Sequence, residues 1–234
     1  MPLILFGFAL FLSAPASAAF WNPPSSVDRV FIGNFHFVMD VGRAELYRGA
    51  QPSGREHEAR DLGITDVLIL KNETWSEVRS ELRRWSDLGY PESRVRHVPF
   101  RWRHSEEETA CLQLMEGLDF ARTVLREPGA KLYIHCTAGE DRTGVFVALM
   151  RMLVEGRSLE FAFDEMCARG YAEANRWKPG LIVRQVKTGL TPLLVKFATW
   201  IERGELRWGR PRPELCRQIA QTESLRPPES LRCR

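Results

Sequence analysis

One segment constrains this chain more than any other. Lys131-Leu132-Tyr133-Ile134-His135 runs straight into Cys136-Thr137-Ala138-Gly139-Glu140-Asp141-Arg142-Thr143-Gly144. The first five residues form a β-prone run, and an apolar helical stretch follows from Gly144 to Val154. A strand that feeds a helix through so short a loop has to lie in a sheet whose faces helices cover. Closing the loop turns several backbone N–H groups inward as an anion-binding nest. The helix that follows adds the positive end of its dipole. Gly139 and Gly144 are expected to permit the tight turn and the close backbone approach.

The rest of the chain alternates in the same way. Expected strands cover Val27 to Val41, Glu45 to Arg48, Thr65 to Leu70, Val95 to Phe100 and Lys131 to His135. Expected helices cover Arg55 to Leu62, Glu77 to Leu88, Glu106 to Leu125, Gly144 to Val154, Leu159 to Arg169 and Leu181 to Glu202. Gly63 and Gly89 stand where helix ends favour glycine. The fold class is therefore α/β, with a small, mainly parallel central sheet flanked by helices. A length of 234 residues suits one domain, and the net charge of +3 is too mild to suggest nucleic acid as a partner. Phe197-Ala198-Thr199-Trp200 and Trp208 are read as core-covering rather than as a binding platform. The stretch from Gly204 to Arg234 is rich in Arg and Pro and is expected to be a loosely packed, solvated tail.

The N-terminus carries a separate signal. Leu3 to Leu12 is an apolar run followed by Ala16-Ser17-Ala18, the h-region and cleavage pattern of a secretory signal peptide. No Lys or Arg precedes it, which departs from that pattern. The run is much shorter than the roughly 20 residues a membrane span needs. Residues 1–18 are thus expected to be removed, leaving a periplasmic or secreted protein, without stable membrane insertion and monomeric. The five cysteines, Cys111, Cys136, Cys167, Cys216 and Cys233, include no CxxC pair, so no zinc site is expected. An odd count leaves one thiol free, with Cys136 the natural candidate. A Cys216–Cys233 bridge across the tail is the disulfide that the sequence suggests. His36, His57, His97 and His104 show no metal-ligand spacing, and the chemistry needs no metal or other cofactor.

A thiol in the field of the 136–142 loop is expected to lose its proton easily, since electropositive sites lower cysteine from about 8.5 to as low as about 3.5. The thiolate can attack phosphorus, and Arg142 supplies a planar fork for two phosphoryl oxygens. Thr143 is placed to hydrogen-bond the sulfur, and His135 to orient the loop. Thr137, Ala138, Gly139, Glu140 and Gly144 complete the expected cradle. These residues resemble the signature HCxxGxxR[ST]G of the protein tyrosine phosphatase superfamily, with every fixed position matched. The likeness extends more weakly from Tyr47-Arg48-Gly49-Ala50-Gln51-Pro52 to about Gly170, and it is similar to compact bacterial dual-specificity-like and phytase-like members. It implies a phosphocysteine mechanism, and it implies residues 19–203 as the phosphatase domain.

The resemblance breaks at the acid. Most of the family places an aspartate on an upstream loop, whereas Phe100 to Glu108 contains none. Two substitutes remain: Asp141 inside the loop, as in family subgroups ending in DRTG, which is the expected acid, and Glu106 or its neighbours. The bland alternatives are a bracing hydrogen bond for Asp141 and a helix-dipole role for Glu106 to Glu108. Arg101, Arg103, His104 and Lys71 form an expected basic approach suited to a substrate with more than one phosphate. Glu140 stands where phosphoinositide-directed relatives often carry lysine. The expected substrate is an inositol polyphosphate, the alternative a phosphotyrosyl or dual-specificity protein substrate of the cell envelope. A phosphate-binding pseudoenzyme is the further alternative.

Overall fold

The computed structural model describes residues 29–101 and 107–233. The signal-peptide reading of residues 1–18 and the candidates Arg103, His104 and Glu106 lie outside them. Five strands, β1 (His36–Val41), β2 (Ala44–Gly49), β3 (Asp66–Ile69), β4 (Val95–His97) and β5 (Lys131–His135), form one sheet in the order β1-β2-β5-β3-β4. Only the β1–β2 edge is antiparallel; β2, β5, β3 and β4 run parallel. The first strand begins at His36 because Gly33-Asn34 turns the chain, tucking Ile32 and Phe35 beneath the sheet.

Alternation along each strand sorts side chains to two faces. Leu46, Leu68, Leu132 and Ile134 pack with α3 (Glu107–Val124), α4 (Asp141–Glu155), α5 (Leu159–Ala168) and α7 (Thr191–Glu202). Tyr47, Val67, Ile69 and Tyr133 pack on the other side with α1 (Glu56–Asp61) and α2 (Glu77–Asp87), chiefly through Ala59, Val78 and Trp85. By the same parity Arg48 goes to the α4 side and His135 to the α2 side. The stretch read as one helix from Leu181 is α6 (Gly180–Gln185), a π-helical turn at Val186–Leu190, and α7. Phe197 and Trp200 are buried in the core, and Trp208 packs against it.

The tail departs from the sequence reading in two ways. It is not loosely packed: Leu206, Leu215, Ile219 and Leu231 are buried, and a 3-10 helix at Pro213–Gln221 lies along α3. Its disulfide is not Cys216–Cys233. Cys216 bridges to Cys111 on α3, and Cys233 to Cys167 on α5. Laying the 3-10 helix on α3 brings Cys216 within 5.5 Å Cα to Cα of Cys111, which leaves Cys233 to reach the α5 end. The Arg and Pro content conceals four apolar anchors spaced widely enough to bind the tail down.

Candidate active site

The parallel strands deliver β5 at the C-terminal edge of the sheet, where the chain turns from His135 into Cys136. α4 starts at Asp141, so Arg142, Thr143 and Gly144 belong to its first turn rather than to a loop before it. Three bonds from neighbouring segments fix the 136–140 turn. Gln51 N–H donates to Thr137 O at 3.0 Å. Arg48 Nη2 donates to Gly139 O at 2.6 Å, and Asn34 Nδ2 donates to the same oxygen at 3.0 Å. Gly139 has φ +70°, and a Cβ there would sit 2.3 Å from Gly49 O. Only glycine fits. Gly144 is different. A Cβ there would meet Met166 at an ordinary 3.5 Å, so the close approach expected of it is not what the fold requires.

Cys136 is buried and carries the only free thiol among the described residues. Burial alone pushes the thiol up, but the Arg142 guanidinium and the hydroxyl and backbone N–H of Thr143 outweigh it and hold Cys136 below the ordinary thiol value. The Thr143 hydroxyl is fully buried with no hydrogen-bond partner among the described residues, and it stands near enough to the sulfur to favour the thiolate. Arg142 reaches back across the mouth of the loop, with Nη2 donating to Thr137 Oγ1 at 3.2 Å. Thr137 and Ala138 are exposed at that mouth. The geometry brings together a thiolate-prone sulfur, a guanidinium fork and a helix N-terminus.

The other candidates fall elsewhere. Glu140 turns away from the cradle: Oε1 accepts from Asn175 Nδ2 at 2.8 Å, and Oε2 pairs with Lys178 Nζ at 2.9 Å. Its side chain braces the 170–178 segment. Asp141 faces the same segment, its Oδ1 accepting from Lys178 Nζ at 2.6 Å and from Ala172 N–H at 2.9 Å. The bracing role foreseen for it is therefore present. Lys71 is not free for substrate. It is buried, its ammonium donating to Gln51 Oε1 at 2.6 Å and pairing with Glu77. Arg101 is exposed after β4, and its backbone N–H donates to Gln113 Oε1 at 2.7 Å.

Three residues of the site were not singled out from the sequence: Arg48, Glu81 and Lys178. Arg48 stood in the quoted Tyr47–Pro52 stretch, yet nothing in that stretch says that its side chain buries under the loop. Its Nε and Nη1 have no hydrogen-bond partner among the described residues. Burial, opposed by Glu165, lowers its pKa to about 10. Glu81 and Lys178 lie far from the loop in sequence, and no local pattern marks them.

With this geometry in place, the match to known proteins is decisive at the level of family. The model of the tyrosine phosphatase family matches residues 41–164, more than half the chain. The chain belongs to the tyrosine phosphatase family. Its curated relatives include dual specificity protein phosphatase 26 of Homo sapiens, 28% identical over 122 residues, with 52% of this chain and 54% of the relative covered. Dual specificity protein phosphatase TpbA of Pseudomonas aeruginosa is 28% identical over 130 residues, covering 55% and 52%. The chain thus spans about half the length of the curated relatives it matches. Among solved structures, the core catalytic domain of the PP-IP phosphatase SIW14 from S. cerevisiae aligns with TM-score 0.46 at 21% identity, over 67% of this chain and 85% of that one. P. aeruginosa TpbA aligns with TM-score 0.44 at 21% identity, over 65% and 88%. The matched span of the family runs from the end of β1 to the middle of α5 and so contains the whole Cys136–Gly144 turn.

Proposed function

We propose that this tyrosine phosphatase family member is an exported, cysteine-dependent phosphomonoesterase. The observation that carries the reading is the loop itself: a buried cysteine that turns into a helix N-terminus, with the guanidinium of Arg142 reaching back to Thr137 and holding the thiol below its ordinary value. In the proposed cycle the Cys136 thiolate attacks phosphorus, a P–S bond forms, and the P–O bond to the leaving group breaks. The departing oxygen takes a proton from an acid. Water then attacks the phosphocysteine, inorganic phosphate leaves, and the thiolate is regenerated. Arg142 and the inward amides follow the charge of the equatorial oxygens, and the Thr143 hydroxyl supports the sulfur as it leaves.

Asp141 is the proposed acid. Lys178 and Ala172 fix its Oδ1, and no described residue bonds Oδ2, the oxygen left to carry the proton. Export is supported by cysteine usage: four of the five cysteines pair, a pattern of oxidising compartments. Inositol polyphosphates remain the proposed substrate class, resting on the basic sequence of Arg101, Arg103 and His104. Phosphoprotein is the second reading, favoured by the dual specificity protein phosphatases among the relatives.

The test is phosphate release by residues 19–234 from para-nitrophenyl phosphate, inositol hexakisphosphate and phosphotyrosyl peptides, with Cys136→Ser as control. The reading expects turnover that vanadate and Cys136→Ser both abolish. A Cys136→Ser protein as active as the parent refutes the mechanism, and release from no substrate refutes the activity. Preference between inositol phosphate and peptide assigns the substrate class.

A further inference from the structure

A carboxylate is buried where the core gives it no reason to be. Glu81 lies on the sheet-facing side of α2 between Val78 and Trp85, and all three are fully buried. Taking an ion out of water costs several kcal/mol even after relaxation, and a leucine at that position would bury without this cost. The carboxylate is kept by donors that converge on it. Gln51 Nε2 donates to Oε2 at 2.8 Å, and Trp85 Nε1 donates to Oε1 at 3.2 Å. His135 Nε2 lies 2.8 Å from Oε1, at an angle too bent for a good hydrogen bond but at ion-pair distance.

The imidazole has acceptors on both sides. Its Nδ1 is 3.1 Å from the carbonyl oxygen of Cys136, which only accepts, and its Nε2 meets a carboxylate, which accepts when ionised. Nδ1 therefore donates to the Cys136 carbonyl, and the carboxylate at ion-pair distance from Nε2 favours the charged ring. Tyr133 stacks on it with ring centroids 5.1 Å apart, which limits rotation of the ring plane. Each partner's ionisation agrees with this. Burial opposes both charges, yet the pairing keeps Glu81 below and His135 above their ordinary values.

We propose that Glu81 is a positioning residue for the nucleophile: acting through His135, it fixes the first peptide of the catalytic loop so that the Cys136 sulfur stays in register with Arg142 and the inward amides. The path is short and dry, from the Glu81 carboxylate to the His135 ring to the Cys136 carbonyl. Lys71, taken from the sequence as a substrate contact, holds the far end of the same network by donating to Gln51 and pairing with Glu77. The inference rests on the reading of Cys136 as nucleophile and adds to it a residue that contacts neither the sulfur nor the phosphate site.

The measurement is the pH dependence of iodoacetamide alkylation at Cys136, which needs no turnover and is specific because the other four cysteines are bridged. Groups that act on the sulfur besides His135 are Arg142, Thr143 and Asp141 from α4 and Arg48 from β2. Those acting on His135 are Glu81 from α2 and the Cys136 sulfur itself. Glu81→Gln leaves all of these but one in place. The alkylation midpoint should rise by about one pH unit, a roughly tenfold change in the thiolate constant. Turnover of para-nitrophenyl phosphate should fall in kcat with little change in KM. A folded Glu81→Gln protein with the parent's midpoint and kcat overturns the inference. Should Glu81→Gln not fold, Gln51→Met and Trp85→Phe each remove one donor to the carboxylate, and the midpoint should rise by less in the same direction; unchanged midpoints in both overturn it. A parent that alkylates below the ordinary thiol value yet releases no phosphate from any substrate refutes the phosphatase reading while leaving the Glu81 link to be judged on the midpoint alone.

Discussion

Gly139→Ala tests whether the loop is built by its neighbours or merely tolerates them. The position is strained for any L side chain, since φ is +70°, which costs an alanine about 1 to 2 kcal/mol. Space is the larger obstacle. The new Cβ would lie 2.3 Å from Gly49 O, 2.4 Å from Gly49 C and 2.7 Å from Ala50 N, all backbone atoms at the end of a central strand. Restoring an ordinary contact of 3.4 Å requires a retreat of 3.4 − 2.3 = 1.1 Å. Gly139 O is held by Arg48 and Asn34, so that movement stretches both bonds. A charged donor bond is worth about 1.5 to 3 kcal/mol, and its partial loss adds to the backbone cost for a total of about 3 kcal/mol. The functional effect should be larger than the stability effect, because a displacement of about 1 Å in a positioned site costs on the order of a hundredfold. The assay is kcat/KM on para-nitrophenyl phosphate, whose good leaving group removes the acid from the comparison, at a temperature well below the melting point of the variant. Gly129→Ala is the control: its φ is +83° but nothing lies within 4 Å of the added Cβ, so it carries the backbone penalty alone and should keep full activity. A Gly139→Ala protein within threefold of the parent would refute the steric reasoning and mean that the loop relaxes without losing its cradle.

Three further outcomes follow from the same contacts. Asp141→Asn should slow hydrolysis of an alkyl phosphate at least tenfold more than that of para-nitrophenyl phosphate, consistent with the typical worth of a general acid; equal loss on both would assign Asp141 to bracing through Lys178 alone. Removing the Cys111–Cys216 bridge by paired alanines opens a closure of 105 residues, which in the chain-entropy account lowers unfolding stability by about 4 to 5 kcal/mol, read by urea titration. His36 accepts a hydrogen bond from Arg169 Nη1 at 2.9 Å, and burial, then Arg169 and Arg48, lower its pKa to about 4. The unfolded chain therefore takes up a proton between about pH 6.5 and 4 that the folded chain refuses, so stability falls as pH drops through that window. The melting temperature of His36→Gln should fall less than the parent's over the same range.

Much of this protein was legible before its structure. Buried parallel strands are continuous apolar runs, so Thr65 to Leu70 and Lys131 to His135 declared themselves, and the spacing from His135 to Gly144 carried the site. What was not legible depends on contacts between distant segments. Glu81 looks like any acidic residue of an amphipathic helix until α2 is laid against the α2-facing side of β5. Lys71 looks like a surface cation beside a phosphate loop until Gln51 and Glu77 close on it. The tail was misread for a different reason. Its Arg and Pro content is an average over thirty-odd residues, whereas packing needs only Leu206, Leu215, Ile219 and Leu231 at the right places.

These corrections share a physical cause. Position 140 was read by the charge it would present to substrate, but a carboxylate beside a loop that concentrates positive potential is worth more as a brace than as a rim. Glu140 and Asp141 together bind Lys178, Asn175 and the Ala172 amide, and so tie the start of α4 to the segment that follows α5. On the opposite side Glu81 ties the end of β5 to α2 through His135. From beneath, Arg48 adds an unpaired guanidinium whose charge favours the thiolate and whose one bond holds Gly139. The nucleophile thus stands among four charged residues, Glu140, Asp141, Glu81 and Arg48, that tie its loop to neighbouring segments. Because three of them are anionic, their own fields oppose the thiolate, and its lowered pKa comes from Arg142 and Thr143, with Arg48 acting in the same direction. Neutralising a brace should then act on the sulfur through loop geometry, raising its pKa even where the charge removed is negative, which is the opposite sign to a purely Coulombic effect.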